Sequence, residues 1–423
     1  MRVRRVSPVA VMAVFSAAVL WAAPGTGSES GNGAGLERWH GQIWDAEIWS
    51  DVVDAAAGQT VYFHAWGGSE TTNAYLDWVA DTVAARYDID MRHVRISDTA
   101  DAVGTVLAEK AAGRDDDGAV DLVWINGENF AAMRENDLLG APFAFNLPNF
   151  AYVDPTEKPT VVEDFTIPTD GLESPWGMAQ LVFMADTAVE STPPTSIEDL
   201  LMYLSANPGW FTYPQPPDFL GVTFLKQALI ELVDEPSALQ EPVRSAEQFA
   251  EVTAPLWSYL DELHPLLWRR GEVFPANGSA LIPLLDDREI VIALNFNPRA
   301  ASAAIENGEL RDTVRTFVFE GGTIGNSHFV AIPYNSGARE GAMVVANFLL
   351  SPEAQARKED PTLWGDPTVL SMDLLDADDR AMFEALPRGV ATLAPEELGT
   401  QLAEPHPSWT DGLQDAWAGR YER

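Results

Sequence analysis

The chain has 423 residues, 46% hydrophobic and 10% aromatic, more than one ordinary core organises, so two domains or lobes are expected. Sixty-four acidic residues against 26 basic ones give a formal net charge of −38, a surface that repels nucleic acid and anionic membranes and excludes a nucleic-acid partner. Only four of the basic residues are Lys, and with no Cys the fold depends on packed cores rather than disulfides.

Residues 1–5 (MRVRR) are basic, residues 9–23 form a short apolar run, and small and polar residues follow. This is the pattern of a secretory signal peptide, expected over residues 1–25 and too short for a membrane span. Without Cys there is no lipid-anchor residue behind it. The mature protein is expected to be soluble, monomeric and periplasmic.

A short helix is expected over residues 44–53, then a strand over 60–64 running into the elbow HAWGGS (64–69). The next helix, about 70–87, repeats Leu76, Val79 and Val83 at helical spacing, with Ser69 as N-cap. A second strand (90–97), a helix (101–112) and a third strand (120–125), apolar enough to be buried, follow, and the third ends in WINGENF (124–130). Such alternation predicts α/β architecture with a parallel sheet. Residues 147–168 are Pro-rich and irregular. SPWG (174–177) leads an apolar strand that reads as a crossing between lobes. Helices are expected over 196–204, 221–232 and 245–263, and short strands over 210–213, 290–294 and 316–319. HFVAIP (328–333) reads as the return crossing, and residues 338–350 as a helix.

The segment AREGAMVVANFLLSPEAQ (338–355), together with HAWGGS, DLVWINGENF, SPWG, YPQPPDF (213–219), NFNP (295–298) and HFVAIP, resembles periplasmic solute-binding proteins of ABC transporters, most closely their YnjB-like branch. The resemblance spans about residues 40–420. It implies a type II periplasmic-binding fold, with two lobes of mixed sheet flanked by helices and hinge crossings between them. Residues 37–175 would open the first lobe, 176–324 the second, 325–360 would return to the first, and 361–423 would add C-terminal helices to the second. It further implies a small-molecule ligand held between the lobes and a membrane permease as partner.

In open α/β sheets ligands bind beyond the carboxyl ends of strands, which is where both elbows lie. Gly68 and Ser69 before a helix could cradle an anionic group, or simply make a turn and a cap. Asn126 and Glu128 could equally contact a ligand or build a turn. Aromatic residues at strand ends favour a flat or cationic solute, which Glu70, Glu128 and Asp218 could pair with. The candidate ligand-binding residues are His64, Trp66, Gly68, Ser69, Glu70, Trp124, Asn126, Glu128, Asn129, Trp176, Tyr213, Asp218, Asn295 and His328. The six His are scattered and adjacent tyrosines are absent, so neither a metal nor a cofactor is expected. A secreted hydrolase is the alternative, but no G-x-S-x-G surrounds Ser69.

Overall fold

The computed structural model describes residues 46–394 and 397–422; the expected signal peptide lies outside them. Strands β1 (Thr60–Trp66), β2 (Asp90–Ile96) and β3 (Leu122–Ile125) are parallel, joined by helices Glu70–Tyr87 and Thr99–Ala111. Their alternation builds one face of a core: Val61, Phe63 and Ala65 of β1 are fully buried, while Tyr62 is exposed. Helix Glu70–Tyr87 starts where the Ser69 hydroxyl accepts from the Thr72 N–H, and stops at Asp88, which adopts a left-handed conformation (φ 57°). It buries Tyr75, Leu76, Val79 and Val83 against that sheet, one helical face as the spacing predicts.

After helix Glu128–Glu135 the chain forms a small hairpin of β4 (Glu163–Asp164) and β5 (Ile167–Pro168) in the stretch that reads as irregular. It then enters β6 (Glu173–Gln180). Strand β7 (Val182–Asp186) belongs to a second, antiparallel sheet with β8 (Ile292–Asn295) and β9 (Val314–Phe317). The expected strand at 210–213 is reduced to a single bridge, Phe211 to Ile292. Strand β10 (Thr323–Ala331) returns antiparallel to both β3 and β6, and β11 (Gln401–Leu402) pairs with its first residues. All nine residues of β10 are buried. Its Ile324 packs in the second core and its Phe329 and Val330 in the first, so this strand ties the lobes together.

The first lobe's core contains Phe63, Tyr75, Leu76, Trp176 and Phe348; the second contains Phe183, Phe224, Leu260 and Leu294. The stretch 361–423, expected in the second lobe, divides between the two. Trp364, Val369, Leu370 and Leu375 join the first core, because helix Pro352–Glu359 carries the chain back under Trp176. Trp409, Leu413 and Trp417 of the last helix, Pro407–Tyr421, join the second.

Candidate functional site in the inter-lobe cleft

A cavity of about 690 Å³ lies between the lobes. From the first lobe it takes the ends of two adjacent parallel strands: Trp66, the last residue of β1, with Gly67 and Gly68 behind it, and residues 95–98 across the end of β2. From the second it takes residues 215–218, ahead of helix Phe219–Leu232, and Ala276 and Asn277. In the first lobe the cavity thus lies beyond the carboxyl ends of parallel strands.

Glycine is required at this wall. A Cβ on Gly68 would lie 2.4 Å from the Trp66 ring, and one on Gly67 2.5 Å from the Arg95 side chain. The two carboxylates at the cavity are both helix N-caps, on opposite lobes. Asp98 accepts from the Ala100 N–H at 2.8 Å, and Asp218 from the Leu220 and Gly221 N–H groups at 3.0 and 3.3 Å. Burial, with a contribution from the Asp98 charge, pushes the Asp218 carboxyl up to about 6, although its two N–H donors pull the other way. Arg95 adds one positive charge, paired only loosely with Asp77 at 3.9 Å.

The structure brings Trp66, Gly68 and Asp218 of the candidate residues together at this cavity. Ser69 stands beside it, but its hydroxyl is engaged by Thr72 N–H and by Thr71 Oγ1 at 2.8 Å, and Glu70 is exposed. His64 sits in mid-strand, opposite Val94 and Val123; burial lowers its basicity, against the Tyr62 backbone and the Asp121 charge. Asn295 Oδ1 accepts from the Asn297 N–H at 2.9 Å.

Three candidates hold core positions instead. Trp176 is fully buried between Trp124, Trp364, Phe63 and His328, with ring centroids 4.8–6.2 Å away. Tyr213 is fully buried and its hydroxyl lies 2.7 Å from His264 Nε2. His328, 5% exposed, bonds Asp366 Oδ2 at 3.1 Å, and Asp366 also takes the ammonium of the buried Lys358 at 2.5 Å. The glycine of SPWG serves this contact: a Cβ on Gly177 would stand 1.9 Å from His328 Nε2.

The WINGENF elbow faces a different neighbour from the one its position suggests. Gly127 takes φ 59° and donates its N–H to Asp164 Oδ2 at 2.7 Å; a Cβ there would meet the Phe165 ring at 2.7 Å. Trp124 is half-buried against Trp176 and His328. Asn126, Glu128 and Asn129 are half-buried. Burial raises the Glu128 carboxyl, opposed by the charge of Lys226 from the second lobe. Lys226 is itself buried, 2.6 Å from Glu404, with its ammonium 4.5 Å from the Phe165 ring centroid. Asp98, Arg95, Gln215 and Asn277 are cavity residues absent from the candidate set. Asp98 and Arg95 could have been found by treating the end of β2 as the ends of β1 and β3 were treated.

Among the described residues no group of three or more His, Asp or Glu is gathered as a metal site, and no helix is long and apolar enough to cross a membrane.

Residues 78–369 match the family model described as bacterial extracellular solute-binding protein. The chain belongs to that family. It is 47% identical to Protein YnjB of Escherichia coli (strain K12) over 376 residues, covering 89% of this chain and 94% of that protein. Its fold is that of the type II periplasmic binding proteins of ABC transporters. It superposes with a TM-score of 0.60 on the periplasmic binding protein AfuA from Actinobacillus pleuropneumoniae, solved with fructose-6-phosphate bound, at 14% identity over 86% of this chain and 99% of that one. The spermidine/putrescine transporter substrate-binding protein PotD from Streptococcus pneumoniae gives 0.54 at 13% identity, over 85% and 98%. A sugar phosphate and polyamines are chemically remote, so the solute has to be argued from this chain's own cavity.

Proposed function

We propose that this protein captures a small charged organic solute between its lobes in the periplasm and delivers it to the membrane permease of an ABC importer. The observation that carries the solute class is the cavity wall, in which Asp98 of one lobe and Asp218 of the other flank Trp66, with Arg95 alongside. Two carboxylates and an indole favour a cationic group, each aromatic contact being worth about 0.5–2 kcal/mol. Arg95 suits an acid group on the same molecule. The role is carriage without chemistry: the hydroxyl of Ser69 is committed to a helix cap.

The test is a thermal-shift panel of vitamins, polyamines, amino acids, sugars and oxyanions, preceded by native mass spectrometry for a retained solute. A cationic or zwitterionic compound should stabilise the protein and be recovered unchanged. If a neutral sugar or a simple oxyanion stabilises best, the solute class is wrong; if the bound compound is consumed, carriage is wrong. For the compound so identified, Asp218→Asn keeps a competent N-cap and removes the charge, and should weaken binding about tenfold. Affinity should also rise as pH increases through about 6, where Asp218 becomes ionised.

A further inference from the structure

A second cavity, of about 370 Å³, opens on the second lobe where helix Ala246–Leu263 ends beside the last helix. It is lined by Asp261, His264, Arg270, Glu272, Arg420 and Tyr421, none of which borders the inter-lobe cavity. His264 is its buried element, 8% exposed. The Trp417 indole, which can only donate, gives its proton to the Tyr213 hydroxyl at 2.9 Å. That hydroxyl has one proton of its own, and its other hydrogen-bond neighbour is His264 Nε2 at 2.7 Å, so Nε2 accepts. Burial depresses the basicity of His264 to about 4, with only the Asp261 charge opposing, so the ring is neutral near pH 7. Its single proton is therefore on Nδ1, and no described residue accepts it.

The cavity rim is shaped by backbone that ordinary residues avoid. Arg269, Arg270 and Gly271 take φ of 49°, 60° and 62° in succession. The last must be glycine, since a Cβ there would lie 2.7 Å from the His264 carbonyl oxygen. Arg269 stacks over Trp268 at 4.3 Å, while the exposed Arg270 side chain makes no hydrogen bond or ion pair with any described residue. On the other side Asp261 receives the Tyr421 hydroxyl at 2.8 Å and pairs with Arg420 at 3.5 Å, and the Glu272 side chain bonds no described residue. The rim thus offers one fixed N–H donor and one uncommitted charge of each sign.

We propose that this cavity binds a small zwitterion of the amino-acid class, its carboxylate held by His264 Nδ1–H and Arg270 and its ammonium by Glu272. A simple anion would leave Glu272 facing like charge, and a simple cation would leave the histidine donor and Arg270 unmatched. The inference does not depend on the solute of the inter-lobe cleft.

The test is a titration of the full chain with glycine, followed by the imidazole nitrogen resonances of His264. Glycine should shift Nδ1 saturably, and acetate or methylammonium alone should bind about tenfold more weakly. Arg270→Gly should keep or raise the thermal midpoint, because glycine takes φ 60° freely, yet weaken the glycine response about tenfold. Trp66→Ala, a change in the cleft, should leave the response intact. An unmoved Nδ1 resonance at ~100 mM glycine overturns the proposal. So does acetate binding as well as glycine, an Arg270→Gly variant that binds like the parent, or a response that disappears with Trp66→Ala.

Discussion

Two of the four lysines in this chain are buried, and they are buried in opposite circumstances. Lys358 lies within the first lobe, where its ammonium meets Asp366 Oδ2 and the carbonyls of Asp366 and Pro367, with His328 on the same carboxylate. Although burial alone would raise the Asp366 carboxyl, His328 and Lys358 beside it hold it below its usual value. Lys226 lies where the lobes meet, bound to Glu404 and covered by the rings of Phe165 and Phe219. Carboxylates are in excess there. Asp164 and Glu173, both buried, leave three of their four oxygens without a hydrogen-bond partner. Burial raises both well above the ordinary carboxylate range; Glu128 and Glu404 add to the shift of Asp164, and Asp164 adds to that of Glu173. One buried lysine is a closed structural pair, and the other is a short supply of positive charge at the boundary between the lobes.

The largest expected effect tests the closed pair. Lys358→Met strands Asp366 in the core and should cost about 3–5 kcal/mol of unfolding free energy, read from the urea midpoint. The double change Lys358→Met with Asp366→Leu should recover most of that loss. If the single variant unfolds at the parental urea concentration, Lys358 is not holding this core.

The next effect sharpens the difference in sign between the two regions. Asp164 and Glu173 have carboxyl groups raised on folding, so their stabilising contribution is complete below the unfolded carboxylate pKa near 4 and is lost as pH rises through their folded values. Asp366, depressed on folding, behaves oppositely: its contribution is present above that unfolded value and is lost as pH falls. Each titrating group can contribute a slope of up to about 1.4 kcal/mol per pH unit. Asp164→Asn with Glu173→Gln should therefore flatten the decline in stability above pH 4. Parallel stability curves for parent and double variant would show that the two carboxyls do not titrate with folding.

Much of this organisation is legible in the sequence and some of it cannot be. The parallel strands of the first lobe and the helices between them follow from alternation and caps, and Trp66, Gly68 and Asp218 fall at the cavity because strand ends and helix starts converge there. Trp124 and Trp176 carry a similar local pattern, an indole within three residues of a glycine in a segment that reads as strand. What turns Trp176 into core is the arrival of Trp364 and His328 from more than 150 residues later, which no local pattern encodes. Asp164 and Glu173 were hidden for another reason: among 64 acidic residues, nothing in the chain marks two as buried.

The smallest effect probes the boundary between the lobes itself. Phe165 and Thr166 form the tip of the β4–β5 hairpin with φ of 43° and 71°, and the Phe165 ring fills the space that a side chain at position 127 would otherwise need. From there the ring covers Lys226 of the second lobe, the kind of cation–π contact worth about 0.5–2 kcal/mol. Phe165→Leu keeps apolar bulk beside Gly127 and removes the π face, so the loss should fall on contact between lobes more than on either core. The expected readout is an increase in the radius of gyration by small-angle X-ray scattering, with a urea midpoint little changed. A variant that unfolds early and stays equally compact would place Phe165 with the structural residues around Lys358, and the contrast between the two lysines would lose its mechanical half.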